Sequence, residues 1–165
     1  MCNNVSIIAA IAKNYTIGKN NKLLCSVPGD LKRFKELTTG HAVVMGRHTL
    51  ESLPNGPLPN RKNIVITTMS EQIVDGCLPA DSINDALELA GKEDEIFIIG
   101  GGSIYKQAIA FSNKLFLTWI DHEFEGDTFF PAIDFSQWQE TFREDHPADE
   151  KFPYPYSFVN YERKN

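Results

Sequence analysis

The sequence predicts an α/β fold in a single domain, residues 1–165: a mostly parallel central β-sheet flanked by helices, with a C-terminal antiparallel hairpin. Three observations carry that expectation. Short apolar runs rich in Val and Ile recur over the first 120 residues, segments with helical spacing fall between them, and the last third turns aromatic and loses the alternation.

Residues 5–12, 42–45, 63–67, 95–99 and 114–120 have the length and β-branched content of buried strands. After the first of them, Leu31, Phe34 and Leu37 repeat every three residues behind Val27-Pro28, and Pro28 suits a first helical position. Farther on, Ile83, Ala86, Leu87 and Ala90 trace one helical face, with Asp81-Ser82 as the N-cap. A further helix is expected over residues 103–110. Alternation of this kind implies crossover connections and therefore parallel strands. Segments 137–144 and 154–162, joined by the loop 146–153, predict the hairpin at the sheet edge. The Asn-, Lys- and Gly-rich segment 13–27 and the segment 54–61, with its three prolines, read as loops, where binding residues concentrate.

With a net charge of −6, 42% hydrophobic and 23% charged residues, the composition is that of an ordinary globular domain. The acidic balance argues against nucleic acid and anionic lipid as partners, so an anionic small molecule would need a local cluster of cations. No run approaches the ~20 apolar residues of a membrane span. Residues 1–5 lack the basic flank of a secretory signal. The three cysteines, Cys2, Cys25 and Cys77, are odd in number and without metal-like spacing, so a cytoplasmic protein with reduced thiols is expected. His41, His122 and His146 have no ligand spacing. Asp121, Glu123, Glu125 and Asp127 alternate like a strand-edge loop and do not fit an EF-hand, so no metal is expected.

Three motifs point to chemistry. From Glu95 a strand runs into Gly100-Gly101-Gly102 and then Ser103-Ile104-Tyr105; a turn without Cβ atoms lets a ligand approach the backbone at a helix N-terminus. It departs from G-x-G-x-x-G, whose last glycine would fall on Tyr105, and a plain strand-to-helix turn also explains it. In Met45-Gly46-Arg47-His48-Thr49, two cationic side chains begin a short helix. Each opposes the helix dipole by about 0.3–1 kcal/mol unless an anion sits there, the alternative being a water-screened pair. Asp30 shares a helical face with Phe34 and Leu37; it is either a dipole-matching carboxylate or the partner of a planar N–H donor on a ligand.

Taken together, the pieces Ile7-Ile8-Ala9-Ala10, Ile17-Gly18, Pro28-Gly29-Asp30-Leu31-Lys32-Arg33-Phe34-Lys35, Val44-Met45-Gly46-Arg47-His48-Thr49, Leu58-Pro59-Asn60-Arg61-Lys62-Asn63, Ile99-Gly100-Gly101-Gly102, Leu117-Thr118 and Glu125-Gly126-Asp127-Thr128 resemble, in order and over nearly the whole chain, the dihydrofolate reductase family. The resemblance implies NADPH as cofactor and dihydrofolate, or an antifolate inhibitor, as partner of a monomer. Asp30 would accept hydrogen bonds from the pterin, with Thr118 bridging and Leu23 of the loop completing the catalytic set. Ile8, Ala10, Leu31, Phe34, Leu53, Leu58, Ile99 and Tyr105 would line the substrate, and Arg61 would pair with the α-carboxylate of its glutamate tail. Arg47 and His48, helped by Thr67 and Thr68, would meet the 2′-phosphate. The rest of the cofactor wall would be Ala10, Ile17, Gly18, Gly46, Thr49, the Gly100–Gly102 turn, Ser103, Ile104 and Thr128. Tyr105 would sit near the nicotinamide, and the first two glycines of the turn would be joined by a cis peptide. Asp127 would brace the loop 14–24, which would close over the site.

The resemblance implies hydride transfer from nicotinamide C4 to pterin C6. Asp30 would lie too far from N5 for a direct proton jump, so water admitted beside the loop would protonate it. Two positions depart from the commonest pattern: Cys25 stands where many members carry a Trp, and Ser103 where many bacterial members carry an Arg. A same-fold reductase of a pyrimidine intermediate of flavin synthesis and a non-catalytic pterin or nucleotide carrier are the rival readings. Asp30 ahead of Phe34, with Thr118 and Arg61, disfavours the first rival.

Overall fold

The five apolar runs become neighbouring strands of one eight-stranded sheet. A computed structural model describes residues 4–19, 27–68, 75–91 and 95–164, and the backbone of residues 22–23. Cys2, Leu24 and Cys25 lie outside the described residues, as does the side chain of Leu23. The chain runs β1 (Asn4–Ala12), β2 (Thr16–Lys19), β3 (Lys22–Leu23), α1 (Asp30–Thr38), β4 (Ala42–Gly46), α2 (Arg47–Ser52), β5 (Lys62–Ile66) and β6 (Cys77–Ala80). It continues with α3 (Ile83–Ala90), β7 (Glu95–Gly100), α4 (Gly102–Ala108), β8 (Lys114–Ile120), β9 (Thr128–Phe129), β10 (Trp138–His146) and β11 (Tyr156–Arg163). A single 3₁₀ turn, Ile109–Phe111, prolongs α4.

The sheet order is β10-β11-β8-β1-β7-β4-β5-β6. From β8 to β6 every pairing is parallel, and the antiparallel β10–β11 hairpin continues the sheet along β8. Both faces are covered, as a parallel sheet requires. Ile7, Val44, Ile64, Ile96 and Ile98 pack on one side with α3 and α4 residues; Ile8, Val43, Met45, Val65 and Phe97 pack on the other with Phe34 and Leu37 of α1. Ser82 caps α3 as expected, its hydroxyl accepting from the Asp85 N–H at 3.0 Å.

Three expectations are corrected. Pro28 is not the first helical residue: Gly29 adopts φ 80° and ψ −9°, and the Asp30 N–H donates to the Val27 carbonyl at 3.1 Å. Proline and then a positive-φ glycine inside such a bond make a type II turn, so α1 starts at Asp30. Leu31 leaves the apolar stripe, because one residue past Asp30 it is rotated by about 100° and stands 76% exposed. Segment 13–27 is not all loop: β2 and β3 pair there, and β9 joins β2 in a separate three-stranded sheet. The edge strand β6, short and containing Pro79, was not foreseen either.

Gly126 holds the small sheet against its neighbours. A Cβ there would clash with Thr16 Cγ2 and lie 2.5 Å from the Gly18 carbonyl oxygen, the acceptor of the Asp127 N–H. Gly126→Ala is therefore expected to lower stability by about 1–3 kcal/mol, the usual cost of overpacking. Thermal denaturation checks this; a melting temperature equal to that of the parent would contradict the close approach.

Candidate active site

The carboxyl ends of β4, β5 and β7 open into a cavity of about 510 Å³, at the position where open α/β sheets bind ligands. Gly46, Ile66, Thr67, Ile99 and Gly100 line it from these ends, with Ala10 from β1 and Ile17, Gly18 and Thr128 from the small sheet. The other walls are Arg47, His48, Thr49 and Ser52 on α2, Gly101, Gly102, Ser103, Ile104 and Tyr105 around the start of α4, and Thr68. All the residues expected at the cofactor thus fall on one cavity. Ser52 and Ile66 were missed; their signal is position alone, Ser52 three residues beyond Thr49 and Ile66 just before Thr67.

Backbone dominates this wall. Neither α2 nor α4 has a side-chain N-cap, so first-turn N–H groups of both are left to another acceptor. Side chains are sterically barred from part of it: a Cβ on Gly102 would lie 2.9 Å from Thr128 Cγ2 and 3.2 Å from the Phe129 carbonyl oxygen, and one on Gly46 would lie 3.3 Å from Ile104 Cγ1. The Gly100–Gly101 peptide is cis. Arg47 and His48 both lean on Glu51, at 3.4 and 3.5 Å. These exposed contacts hold the cations loosely and leave them available to an anion.

Beside the cavity lies an apolar cluster. Ile8, Phe34, Leu53, Leu58 and Ile99 belong to it, and Ile99 also lines the cavity, so the cluster borders it. Asp30 sits half-buried at the first residue of α1, where the Thr118 hydroxyl donates to its Oδ1 at 2.6 Å. Thr118 is itself 1% exposed and pairs in register with Ala10. Burial pushes the Asp30 pKa above the ordinary carboxylate value, against the opposing pull of the Thr118 hydrogen bond and the Arg33 charge. Tyr105 is buried, and its hydroxyl donates to the Ile8 carbonyl at 2.9 Å. Burial, and then the Asp30 charge, push that phenol far up, so it stays protonated.

Arg61 is oriented from two sides. Its Nε donates to the Pro59 carbonyl at 2.8 Å and its Nη1 to the Thr38 hydroxyl at 3.1 Å, and among the described residues no carboxylate forms an ion pair with it. The loop that presents it is pinned by buried Asn63, whose amide donates to the Leu58 and Arg61 carbonyls and accepts from the Leu58 N–H. On the loop side, the Asp127 N–H donates to the Gly18 carbonyl at 3.1 Å, and the Asn14 and Thr16 side chains donate to the Phe124 carbonyl at 2.9 and 3.2 Å. Of the other substrate-side expectations, Leu31 is mostly exposed, Tyr105 packs in the core cluster on the opposite face, and Ala10 and Arg61 lie outside both clusters. Among the described residues no group of His, Cys, Asp and Glu could hold a metal ion, and no helix is long and apolar enough to cross a membrane.

A family model described as dihydrofolate reductase matches residues 4–163. The dihydrofolate reductase of Bacillus subtilis (strain 168) is 44% identical over 98% of this chain and 95% of its own length. The type 3 dihydrofolate reductase of Salmonella typhimurium is 42% identical over 97% of this chain and 98% of its own. Among solved structures, dihydrofolate reductase from Enterococcus faecalis in complex with NADP(H) and RAB-propyl superposes with a TM-score of 0.88 at 36% identity, covering 98% of this chain and 97% of that one.

The raised pKa of Asp30 has a consequence for stability. The folded chain holds the Asp30 proton to higher pH than the unfolded chain does. Its contribution to stability therefore falls as pH rises from the ordinary carboxylate range through the raised value, and the full penalty applies above it. Asp30→Asn removes the penalty, so its melting temperature should exceed the parent's at pH 7, by about 2–4 °C for each kcal/mol relieved. The gap should narrow below about pH 4, where both carboxyls are protonated. Melting curves at both pH values decide it; a gap independent of pH would show that the carboxylate carries no burial cost.

Proposed function

The chain belongs to the dihydrofolate reductase family, and from that premise we propose which of its residues carry out the reaction. The enzyme reduces 7,8-dihydrofolate to 5,6,7,8-tetrahydrofolate with NADPH. NADPH, when bound, supplies the hydride, which goes from C4 of its nicotinamide to C6 of the pterin while N5 gains a proton.

The observation that carries the assignment is the half-buried Asp30 bonded to buried Thr118 near an apolar cluster that shares Ile99 with the 510 Å³ cavity. Asp30 takes the pterin's 2-amino and ring N–H groups as a charge-assisted pair, and Thr118 fixes the rotamer of the carboxylate. The field of Asp30 favours the cationic pterin, whose C6 is the better hydride acceptor. The proton itself comes from water admitted beside the loop that carries Leu23, because Asp30 is held back against β8. Ile8, Ala10, Phe34, Leu53, Leu58 and Ile99 clasp the rings. Leu31, next to Asp30 and mostly free, offers apolar surface for the ligand to cover. Arg61, already oriented by Pro59 and Thr38, meets the α-carboxylate of the glutamate tail.

The cofactor fits the opposite wall by its chemistry. Uncapped first-turn N–H groups and bare glycine backbone suit a pyrophosphate, with Thr49 beside Gly101. Arg47 and His48 suit the 2′-phosphate, with Thr67 and Thr68 across the cavity from α2. Ile17, Gly18, Gly46, Ser103, Ile104, Tyr105 and Thr128 close the remaining wall. Every one of these groups comes from one copy of the chain, which supports a monomer as the working unit, and the reduced-thiol reading of the cysteines supports the cytoplasm.

The test is the oxidation of NADPH with dihydrofolate, followed by absorbance, in the parent and in Asp30→Asn. The variant should slow the hydride step by about 10²–10⁴-fold at neutral pH, with a smaller loss at low pH, where solvent protonates the pterin. A rate near the parent's at pH 7 would remove Asp30 from the mechanism. For the cofactor, Arg47→Ala should cost NADPH about 1.5–3 kcal/mol in kcat/KM and leave NADH nearly unchanged. Comparable kcat/KM for the two nucleotides in the parent enzyme would contradict the 2′-phosphate site.

A further inference from the structure

Arg33 has no part in the reaction as assigned above, yet it is far more constrained than a solvated arginine. It lies three residues after Asp30, on the same side of α1, and is half-buried. Its guanidinium donates to Asn160 Oδ1 on β11 and lies over the Phe158 ring, 5.0 Å from the centroid. Phe158 is the register partner of Thr118, the residue that donates to Asp30. The same ring is 3.8 Å from where a Cβ on Gly29 would be, at the turn that starts α1. Two adjacent strands therefore grip the first turn of one helix, β8 through Asp30 and β11 through Arg33.

We propose that Arg33 is a positioning residue for dihydrofolate reduction: clamped to β11, it fixes the first turn of α1 and keeps a permanent positive charge facing the unit formed by Asp30 and the bound pterin. The proposal rests on the assignment of Asp30 to the pterin. A guanidinium suits both tasks, because it stacks on an aromatic face, donates in a plane and stays protonated at any working pH. Burial raises the Asp30 pKa, and the Arg33 charge pulls it back toward the ionised form. The charge acts in the same direction on a proton held by the pterin, so its removal lets the whole unit keep its proton to higher pH.

Other titratable groups face this pair and define the controls. Tyr105 on α4 feels the Asp30 charge but stays protonated. On β10, Glu144 interacts with Arg33 and pairs with His146 at 2.7 Å, and the His146 ring is 5.5 Å from that of Phe158. His146 is thus the ionisable side chain nearest the Phe158 ring outside α1, and His146→Gln removes it as a control.

The experiment is the pH profile of the hydride-transfer rate, from single-turnover oxidation of NADPH by dihydrofolate, in the parent, Arg33→Met, Arg33→Lys and Asp30→Asn, with Arg33→Met repeated in the His146→Gln background. Arg33→Met should move the alkaline fall of the rate upward by roughly 0.5–1 pH unit in both backgrounds, and Arg33→Lys should keep the parent's midpoint even if it melts earlier. A profile for Arg33→Met that superimposes on the parent's, a shift of equal size in Arg33→Lys, or a shift that disappears with His146→Gln would overturn the proposal. If Arg33→Met does not fold, Arg33→Gln takes its place. The ¹³C shift of the Asp30 carboxyl in the NADPH-bound enzyme must then titrate higher in Arg33→Gln than in the parent, and an unchanged titration overturns the proposal equally. Asp30→Asn separates the two levels: a parent-like rate there sinks the assignment of Asp30 itself, whereas a slow Asp30→Asn with an unmoved Arg33→Met profile sinks only the role of Arg33.

Discussion

The hydrogen bond from the Thr118 hydroxyl to Asp30 joins the start of a helix to the strand where the parallel part of the sheet meets the antiparallel hairpin, and much of the surrounding architecture makes that bond possible. Thr118 lies on β8 between Ala10 of β1 and Phe158 of β11, so its position is set by hydrogen-bond ladders on both sides. Asp30 reaches it because the Val27–Asp30 turn, closed by a glycine at φ 80°, places the carboxylate at the first helical residue. A carboxylate there also complements the helix dipole, which offsets part of the cost of taking it out of water. The acid is therefore presented at an apolar wall, made by Ile8, Phe34 and their neighbours, without being sealed behind it.

In the proposed assignment the two sides would solve different recognition problems. The substrate side would use side chains: one acid, a set of branched hydrophobes, and an arginine whose direction is fixed by a proline carbonyl and a threonine hydroxyl. The cofactor side would use more of the backbone, where glycines are held by crowding from Thr128, Phe129 and Ile104. Arg47 and His48 supply local positive charge in a chain whose net charge is −6. Glu51 keeps those cations together without burying them, so an incoming phosphate replaces a weak, solvent-screened contact.

Much of this was legible in the sequence, for reasons that differ by element. Buried parallel strands announce themselves as continuous apolar runs, and β1, β4, β5, β7 and β8 fell within a residue or so of their expected bounds. That the residues expected at the cofactor would line one cavity was legible through the family resemblance and the motifs around Gly46 and Gly100. Other elements were not. The strands β2 and β3, of four and two residues, pair as a tight hairpin too short to show alternation, and β9 and β6 depend on partners farther away along the chain, so no local pattern marks them. Pro28 was misplaced because proline serves both a first helical turn and the second position of a type II turn, and the glycine after it decides between them. Leu31 was misplaced because a three-residue repeat drifts by about 60° per step, which leaves Leu31 about 120° from Leu37 while Asp30 takes the face of Phe34 and Leu37. Arg33 carries no motif at all. Its partners, Asn160 and Phe158, lie more than 120 residues away, and only the fold brings them together.

The small sheet shapes part of the cavity from outside the main sheet. Ile17 and Gly18 on β2 and Thr128 on β9 are part of the cavity wall, yet they belong to three short strands, not to the eight-stranded sheet. Their geometry is maintained by backbone bonds, the Asp127 N–H on the Gly18 carbonyl and the Phe130 N–H on the Tyr15 carbonyl at 2.8 Å, by Gly126 lying flat against Thr16, and by burial. Thr16 is fully buried, and Ile17 and Phe130 belong to the same core cluster as Ile7 and Val44 of the main sheet. The wall that the small sheet supplies is therefore set by the same apolar packing that holds Ile104 and Tyr105 at the start of α4.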